Sequence, residues 1–329
     1  MSNLTYNIES FQNLSTLGIS TSVLPLETLP QRLATLKGAG YEYVYFGDLF
    51  HDETHDLVKA KNGFQELRQI IADAGLKIYS SHYVLMYPGL GDTIERAKAT
   101  HQQGLEVAAE MALTTMTTHY ISITNTNDPA FVRPETFTAY AYNPILGAPA
   151  LFEEALAKLG GREVFLEKNN EMYRWFCDEA ALRGLTVTLE TAICQFTRTP
   201  AQIIEIIKEI GSPNLGICLD SGHTHIAGVD VAEAVRQCGS YLKETHFHDN
   251  FGDLDLHRPI GIGTINWPEV ILALREIDYP GPVTFEANGA PHCSAEDELQ
   301  IYAKNWRELL QTTSYNEARH KAFTGKKSW

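Results

Sequence analysis

Short β-branched or aromatic runs alternate with amphipathic stretches about eight times along this chain, and few folds accept that rhythm. The strand-like runs are Leu17–Ser20, Tyr43–Phe46, Lys77–His82, Thr117–Ile123, Thr186–Thr191, Leu215–Asp220, Glu244–His248 and Val283–Glu286. The helix-like stretches are Leu26–Lys37, Phe64–Ala74, Ile94–Leu113, Met172–Arg183, Pro200–Ile210, Val231–Cys238, Trp267–Ile277 and Ala295–Leu310. Gly38, Gly40, Gly75, Gly184 and Gly211 stand where helices should end before the next strand. Strict alternation implies parallel pairing, and eight units close a (β/α)8 TIM barrel. An open, doubly wound sheet is the competitor, but it calls for a Gly-rich turn after the first strand, and Ser20 to Pro25 contains no glycine. The expected organisation is an N-terminal segment 1–15, a single barrel over 16–312 and a C-terminal tail 313–329.

The segment Asn125–Gly161 breaks the rhythm. It is rich in proline and carries the aromatic run Phe137 to Tyr142. A loop this long in a compact domain serves as a lid, a subunit contact or a solvated excursion. It follows the fourth strand, on the face where barrel enzymes keep their chemistry. Tyr140 and Tyr142 suit stacking on a sugar. The tail from Ser314 to Trp329 reads as a basic, aperiodic peripheral arm.

Charge removes two classes of partner. Across 329 residues, 41 acidic against 26 basic side chains leave a formal charge of −15. Nucleic acid and anionic membrane both need clustered Lys and Arg, so neither is expected as a partner. No apolar stretch approaches the roughly 18–20 residues of a spanning helix, and the start lacks the basic and apolar regions of a secretory signal. Cys177, Cys194, Cys218, Cys238 and Cys293 are scattered, odd in number and never paired as C-x-x-C. Reduced thiols and a cytoplasmic location are the expectation.

Four consecutive strands finish on groups that bind cations. Strand five ends at Glu190, strand six at Asp220 with His223 three residues on, strand seven at His246 and His248, and strand eight at Glu286. In a barrel these ends converge on one mouth. Singly, each would be an ordinary cap, loop anchor or core histidine. Together, three carboxylates repel one another unless a cation relieves them. Two Glu, one Asp and one His suit Mn2+, Mg2+ or Co2+, with Zn2+ also able to bind. His246 and His248 point the same way along a strand, so periodicity leaves the choice between them open.

The stretch His246-x-x-Asp249-Asn250, followed by Asp255-x-His257-x-Pro259-x-Gly261-x-Gly263-x-Ile265-x-Trp267, resembles the xylose-isomerase-like superfamily. That superfamily holds sugar phosphate isomerases and epimerases, inosose-processing enzymes and AP endonucleases of the endonuclease IV type. The resemblance covers about residues 16–312 and includes the Asp220-x-x-His223 step. It implies one divalent metal ion, Mn2+ first among them, on Glu190, Asp220, His246 and Glu286. It also places His223 against a substrate oxygen. Asp255 and His257 become further substrate-side groups or second-metal ligands, and His82 joins the substrate side. Two departures bear on the substrate. Ketose 3-epimerases are expected to carry Arg six residues after the metal His, where this chain has Gly252. They are expected to carry Glu six after the first metal Glu, where it has Phe196. A bulkier, less polar substrate such as an oxidised glycoside fits those changes better than a small free ketose. No clustered Arg or phosphate cradle supports a phosphorylated sugar.

A site of this kind abstracts a proton next to a carbonyl, with Glu190 and Glu286 as the proton-transfer pair on either side of a small carbohydrate. Epimerisation, isomerisation, or elimination from a 3-oxo-glycoside or inosose by a lyase or dehydratase then depends on where the proton and leaving group go. An AP endonuclease-like phosphodiesterase is the other enzyme class, since His82, His119, Asp255 and His257 could complete a multi-metal cluster. The −15 charge opposes a DNA surface. A catalytically silent sugar-binding protein is the non-enzyme reading. A homo-oligomer is expected.

Overall fold

The computed structural model describes residues 14–19, 29–46, 64–83, 85, 94–120, 156–157, 159–193, 196–287 and 295–324. Its strands are β1 (Leu14–Ile19), β2 (Tyr43–Phe46), β3 (Lys77–His82), β4 (Thr115–Thr118), β5 (Thr186–Glu190), β6 (Leu215–Asp220), β7 (Leu242–His246) and β8 (Val283–Glu286). Between and after them run α1 (Leu29–Gly38), α2 (Phe64–Asp73), α3 (Ile94–Glu110), α4 (Arg162–Ala181), α5 (Pro200–Ile210), α6 (Ser221–Ile226), α7 (Val231–Cys238), α8 (Trp267–Glu276) and α9 (Ala295–Thr324).

Every strand pairs with its neighbours in parallel, in the order β7-β6-β5-β4-β3-β2-β1-β8. The ends of that order meet just beyond β7. The Phe247 amide donates to Thr284 O at 2.8 Å, and the Glu286 amide donates to Phe247 O at 3.1 Å, forming a parallel bridge between Phe247 and Phe285. The fold is the TIM barrel that the alternation implied. Helices cover the outside, so the strands bury both faces; all six residues of β6 are buried.

Local chemistry sets several boundaries. Thr199 caps α5 by accepting the Gln202 amide, the Gln202 side chain returns the bond, Pro200 opens the helix, and Gly211 closes it at φ 73°. Beneath β7 and β8, Phe247, Trp267, Phe285 and Trp306 pack edge to face or tilted, with neighbouring centroids 5.3–6.3 Å apart. That layer anchors the two strands that bring His246 and Glu286 to the mouth.

Several boundaries differ from the sequence reading; β4 and β7, for instance, each begin two residues before the expected start. β1 begins at Leu14, two residues before the expected barrel start. α4 begins at Arg162 rather than Met172. The last helix runs to Thr324, so residues 314–324 are helix and not an aperiodic arm. The Ser314 hydroxyl accepts from Arg275 Nη2 at 2.9 Å and donates to Leu310 O at 2.7 Å, which docks this extension on α8. Most of Asn125–Gly161, including Tyr140 and Tyr142, lies outside the described residues, as do Cys194 and Cys293. Cys177, Cys218 and Cys238 are buried free thiols. Among the described residues no helix is long and apolar enough to cross a membrane.

Candidate active site and metal centre

Glu190, Asp220, His246 and Glu286 are the last residues of β5, β6, β7 and β8. Their ligating atoms all lie within 4.8 Å of one another. His246 Nδ1 stands 3.5 Å from Glu190 Oε1 and 3.5 Å from Glu286 Oε2. His246 Nδ1 and Glu286 Oε2 are buried and have no hydrogen-bond partner, and the buried Glu190 Oε2 meets only imidazole nitrogens. Orphaned oxygen and imidazole donors around a common centre fit a divalent cation. His246, not His248, completes this four-residue group.

Two further groups flank it. His82, His119 and Glu190 form one; His248, Asp255 and His257 form the other. His82 Nε2 lies 2.9 Å from Glu190 Oε2, so this residue, expected on the substrate side, contacts the central carboxylate directly. His119 sits one residue past β4, with Nε2 3.6 Å from the same oxygen. His223 bridges the halves: its Nδ1 donates to Thr191 O at 3.0 Å, and its Nε2 meets Asp255 Oδ2 at 3.3 Å. His257 repeats the pattern, with Nδ1 3.3 Å from Glu286 O and Nε2 3.2 Å from Asp255 Oδ2.

The electrostatics follow from these contacts. Burial pushes Glu190 upward, but the imidazoles of His119, His246 and His82 outweigh it and hold the carboxyl well below its ordinary range. Glu286 is raised, because burial exceeds the opposing pull of His257 and His246. Burial alone would depress His257, yet Glu286 and Asp255 hold it up at about 9. His223 is raised well above the ordinary range, with Asp220 and Asp255 overcoming its burial. Both rings have each nitrogen on an acceptor, the arrangement of an imidazolium.

The loop after β7 owes its shape to Asp249, which the motif reading left without a role. Its carboxylate accepts from the amides of Asn250 at 2.9 Å, Gly261 at 2.9 Å and Ile265 at 3.3 Å, and from Trp267 Nε1 at 2.8 Å. Gly261 adopts φ 82°, and a Cβ on Gly263 would lie 2.2 Å from Asn250 O. The G-x-G spacing is therefore a folding requirement that returns Asp255 and His257 to the mouth. His257 itself is held at φ 44°, a strained value for a non-glycine residue.

Sequence reasoning also missed Glu244. This fully buried carboxylate accepts from the hydroxyls of Ser80 and Thr117 across the barrel interior and lies 3.8 Å from His246 Nε2. The available signal was an acid two residues before a strand-end histidine, hence on the same face.

Comparison with known proteins bears on this site. The family model described as xylose isomerase-like TIM barrel matches residues 33–309. An uncharacterized protein of Methanocaldococcus jannaschii is 42% identical over 90 residues, covering 27% of this chain and 31% of that protein. The D-psicose 3-epimerase of Agrobacterium fabrum is 32% identical over 111 residues, covering 34% of this chain and 35% of that enzyme. The chain thus spans about a third of the length of these curated relatives. A solved structure of L-ribulose 3-epimerase superimposes with a TM-score of 0.66 at 16% identity, covering 96% of this chain and 98% of that one.

Proposed function

This chain belongs to the xylose isomerase-like TIM-barrel family, and from its mouth residues we propose that it is a divalent-metal-dependent sugar isomerase or epimerase. The observation that carries this reading is the convergence of Glu190, Asp220, His246 and Glu286 on one centre, with buried unpartnered atoms on His246 and Glu286. These four residues would hold one cation, Mn2+ first, with Mg2+, Co2+ or Zn2+ as substitutes. When bound, the cation polarises a substrate carbonyl and acidifies the adjacent C–H.

The chain's own residues do the rest. Glu190, kept ionised by its imidazole neighbours, accepts a proton from the carbon next to the carbonyl. Glu286, on the next-but-two strand and with its proton affinity raised by burial, is placed to return a proton from the other side of the sugar. Delivery to the same carbon inverts it; delivery to the neighbouring carbon isomerises. His223, anchored by Nδ1 on Thr191 O, stands on the Asp220 side and would turn its Nε2–H from Asp255 Oδ2 to a substrate oxygen. Asp255 orients both His223 and His257. The curated relative named D-psicose 3-epimerase supports a carbohydrate as the substrate class. Screening ketoses, inososes and 3-oxo-glycosides with the Mn2+-loaded protein tests the reading; no turnover on any of them would refute it.

A second reading has its own support. The groups His82–His119–Glu190 and His248–Asp255–His257 flank the central one, and three adjacent cations would suit hydrolysis of a phosphodiester, as in an AP endonuclease. The charge of −15 speaks against a DNA partner. Metal analysis separates the two: one ion per chain favours the isomerase, and three Zn2+ per chain favour the hydrolase.

A further inference from the structure

His248 is outside the four-residue centre, yet its imidazole is held at Nε2 and on one ring face, while its Nδ1 has no hydrogen-bond partner. It is fully buried. Its Nε2 lies 3.1 Å from each carboxylate oxygen of Asp220, and 3.7 Å from Asp255 Oδ1. The ring stacks on that of His257, with centroids 3.8 Å apart and planes 8° from parallel. Its main chain is clamped twice by one hydroxyl: Ser221 Oγ donates to His248 O at 2.6 Å and accepts from the His248 amide at 2.9 Å. Gly222 makes room for the ring, since a Cβ there would lie 1.8 Å from His248 Cε1.

We infer that His248 is a positioning residue for Asp220, and that Gly222 is glycine to admit its ring. A strand-end carboxylate is free to turn about its terminal torsion and present either oxygen. An N–H equidistant from both oxygens, together with the His223 amide donating to Oδ1 at 2.7 Å, restrains the rotation of the carboxylate beside the centre. An ionised Asp220 only accepts, so Nε2 carries the proton. The stack on His257 ties the same ring to the loop that returns Asp255. The inference rests on the metal reading above.

The test is Mn2+ affinity of the full-length chain, measured by electron paramagnetic resonance, with thermal melts reporting the fold. His248→Leu keeps bulk but removes the donor, and weakening of roughly 10–100-fold is expected. His248→Gln returns an N–H donor and should recover most of the affinity. Gly222→Ala leaves His248 in the sequence but takes its place in space, and should match the His248→Leu loss. Parent-like affinity in His248→Leu, or an equal loss in His248→Gln, overturns the positioning role. If His248→Leu does not fold, affinity kept in His248→Gln and lost in Gly222→Ala supports the role; any other pairing overturns it. A parent chain that binds no Mn2+ overturns the metal reading and this inference with it, whereas a binding parent with unaffected variants overturns the inference alone.

Discussion

Glu190 and Glu286 approach the same atom, Nδ1 of His246, each at 3.5 Å, from β5 and β8. Their environments differ: three imidazoles hold Glu190 ionised, while burial holds Glu286 up. Two carboxyls pushed apart in this way suit a base and an acid acting on one substrate. Glu190→Gln and Glu286→Gln should each keep the fold and some metal affinity, since an amide still offers an oxygen. Turnover at saturating Mn2+ should fall by about 10²–10⁴-fold, the usual worth of a general acid or base. Near-normal rates in either variant would remove that residue from the proton-transfer pair.

Asp249 gathers four donors from the loop it precedes. Asp249→Asn turns one acceptor into a donor facing other donors. A loss on the order of 3 kcal/mol is expected, from hydrogen bonds to a charged group, measured by urea unfolding. Turnover should drop further than stability explains, because Asp255 and His257 depend on that loop. Parent-like stability would contradict the hub role.

His257 gives the metal-free protein a pH signature. Its folded value of about 9 stands above its ordinary 6.5. A raised value means stabilisation fully present below about 6.5 and lost as pH rises through about 9, on the order of 3 kcal/mol. Chelator-treated protein should therefore melt at progressively lower temperature between those limits. A Tm that climbs across the same interval would contradict the ion-pair environment of His257.

Much of the barrel was legible because its signals are local. Pro200–Ile210 carries its capping box, its proline and its closing glycine in the sequence, and the helix has those bounds. Strand-end residues Glu190, Asp220, His246 and Glu286 were legible because parallel strands converge wherever a barrel closes. The start of α4 was not: Asn169 lies on its buried face and interrupts the apolar period. The end of α9 was missed because Thr313, buried, and Ser314 do the packing that apolar residues usually signal. The choice of His246 over His248 came from the family spacing to Asp249 and not from periodicity, since both point one way along a strand. Glu244 and Asp249 were missed because their roles depend on partners distant in sequence, or on amides that carry no residue identity.

The segment 125–161 offers a separable test of its expected role. Trimming it should raise KM for substrate and leave Mn2+ affinity unchanged if it is a lid. A shift to smaller species on sizing would instead mark a subunit contact. Unchanged kinetics and size would leave it a solvated excursion.

The most direct test of the proposed chemistry is proton exchange at the carbon next to a substrate carbonyl. The Mn2+-loaded chain is incubated in deuterated water with ketoses, inososes and 3-oxo-glycosides, and deuterium is followed by nuclear magnetic resonance. The expected result is incorporation at that carbon on at least one of these sugars, abolished by chelator and by Glu190→Gln. No exchange on any of them, together with metal-dependent cleavage of a phosphodiester, would contradict the isomerase account.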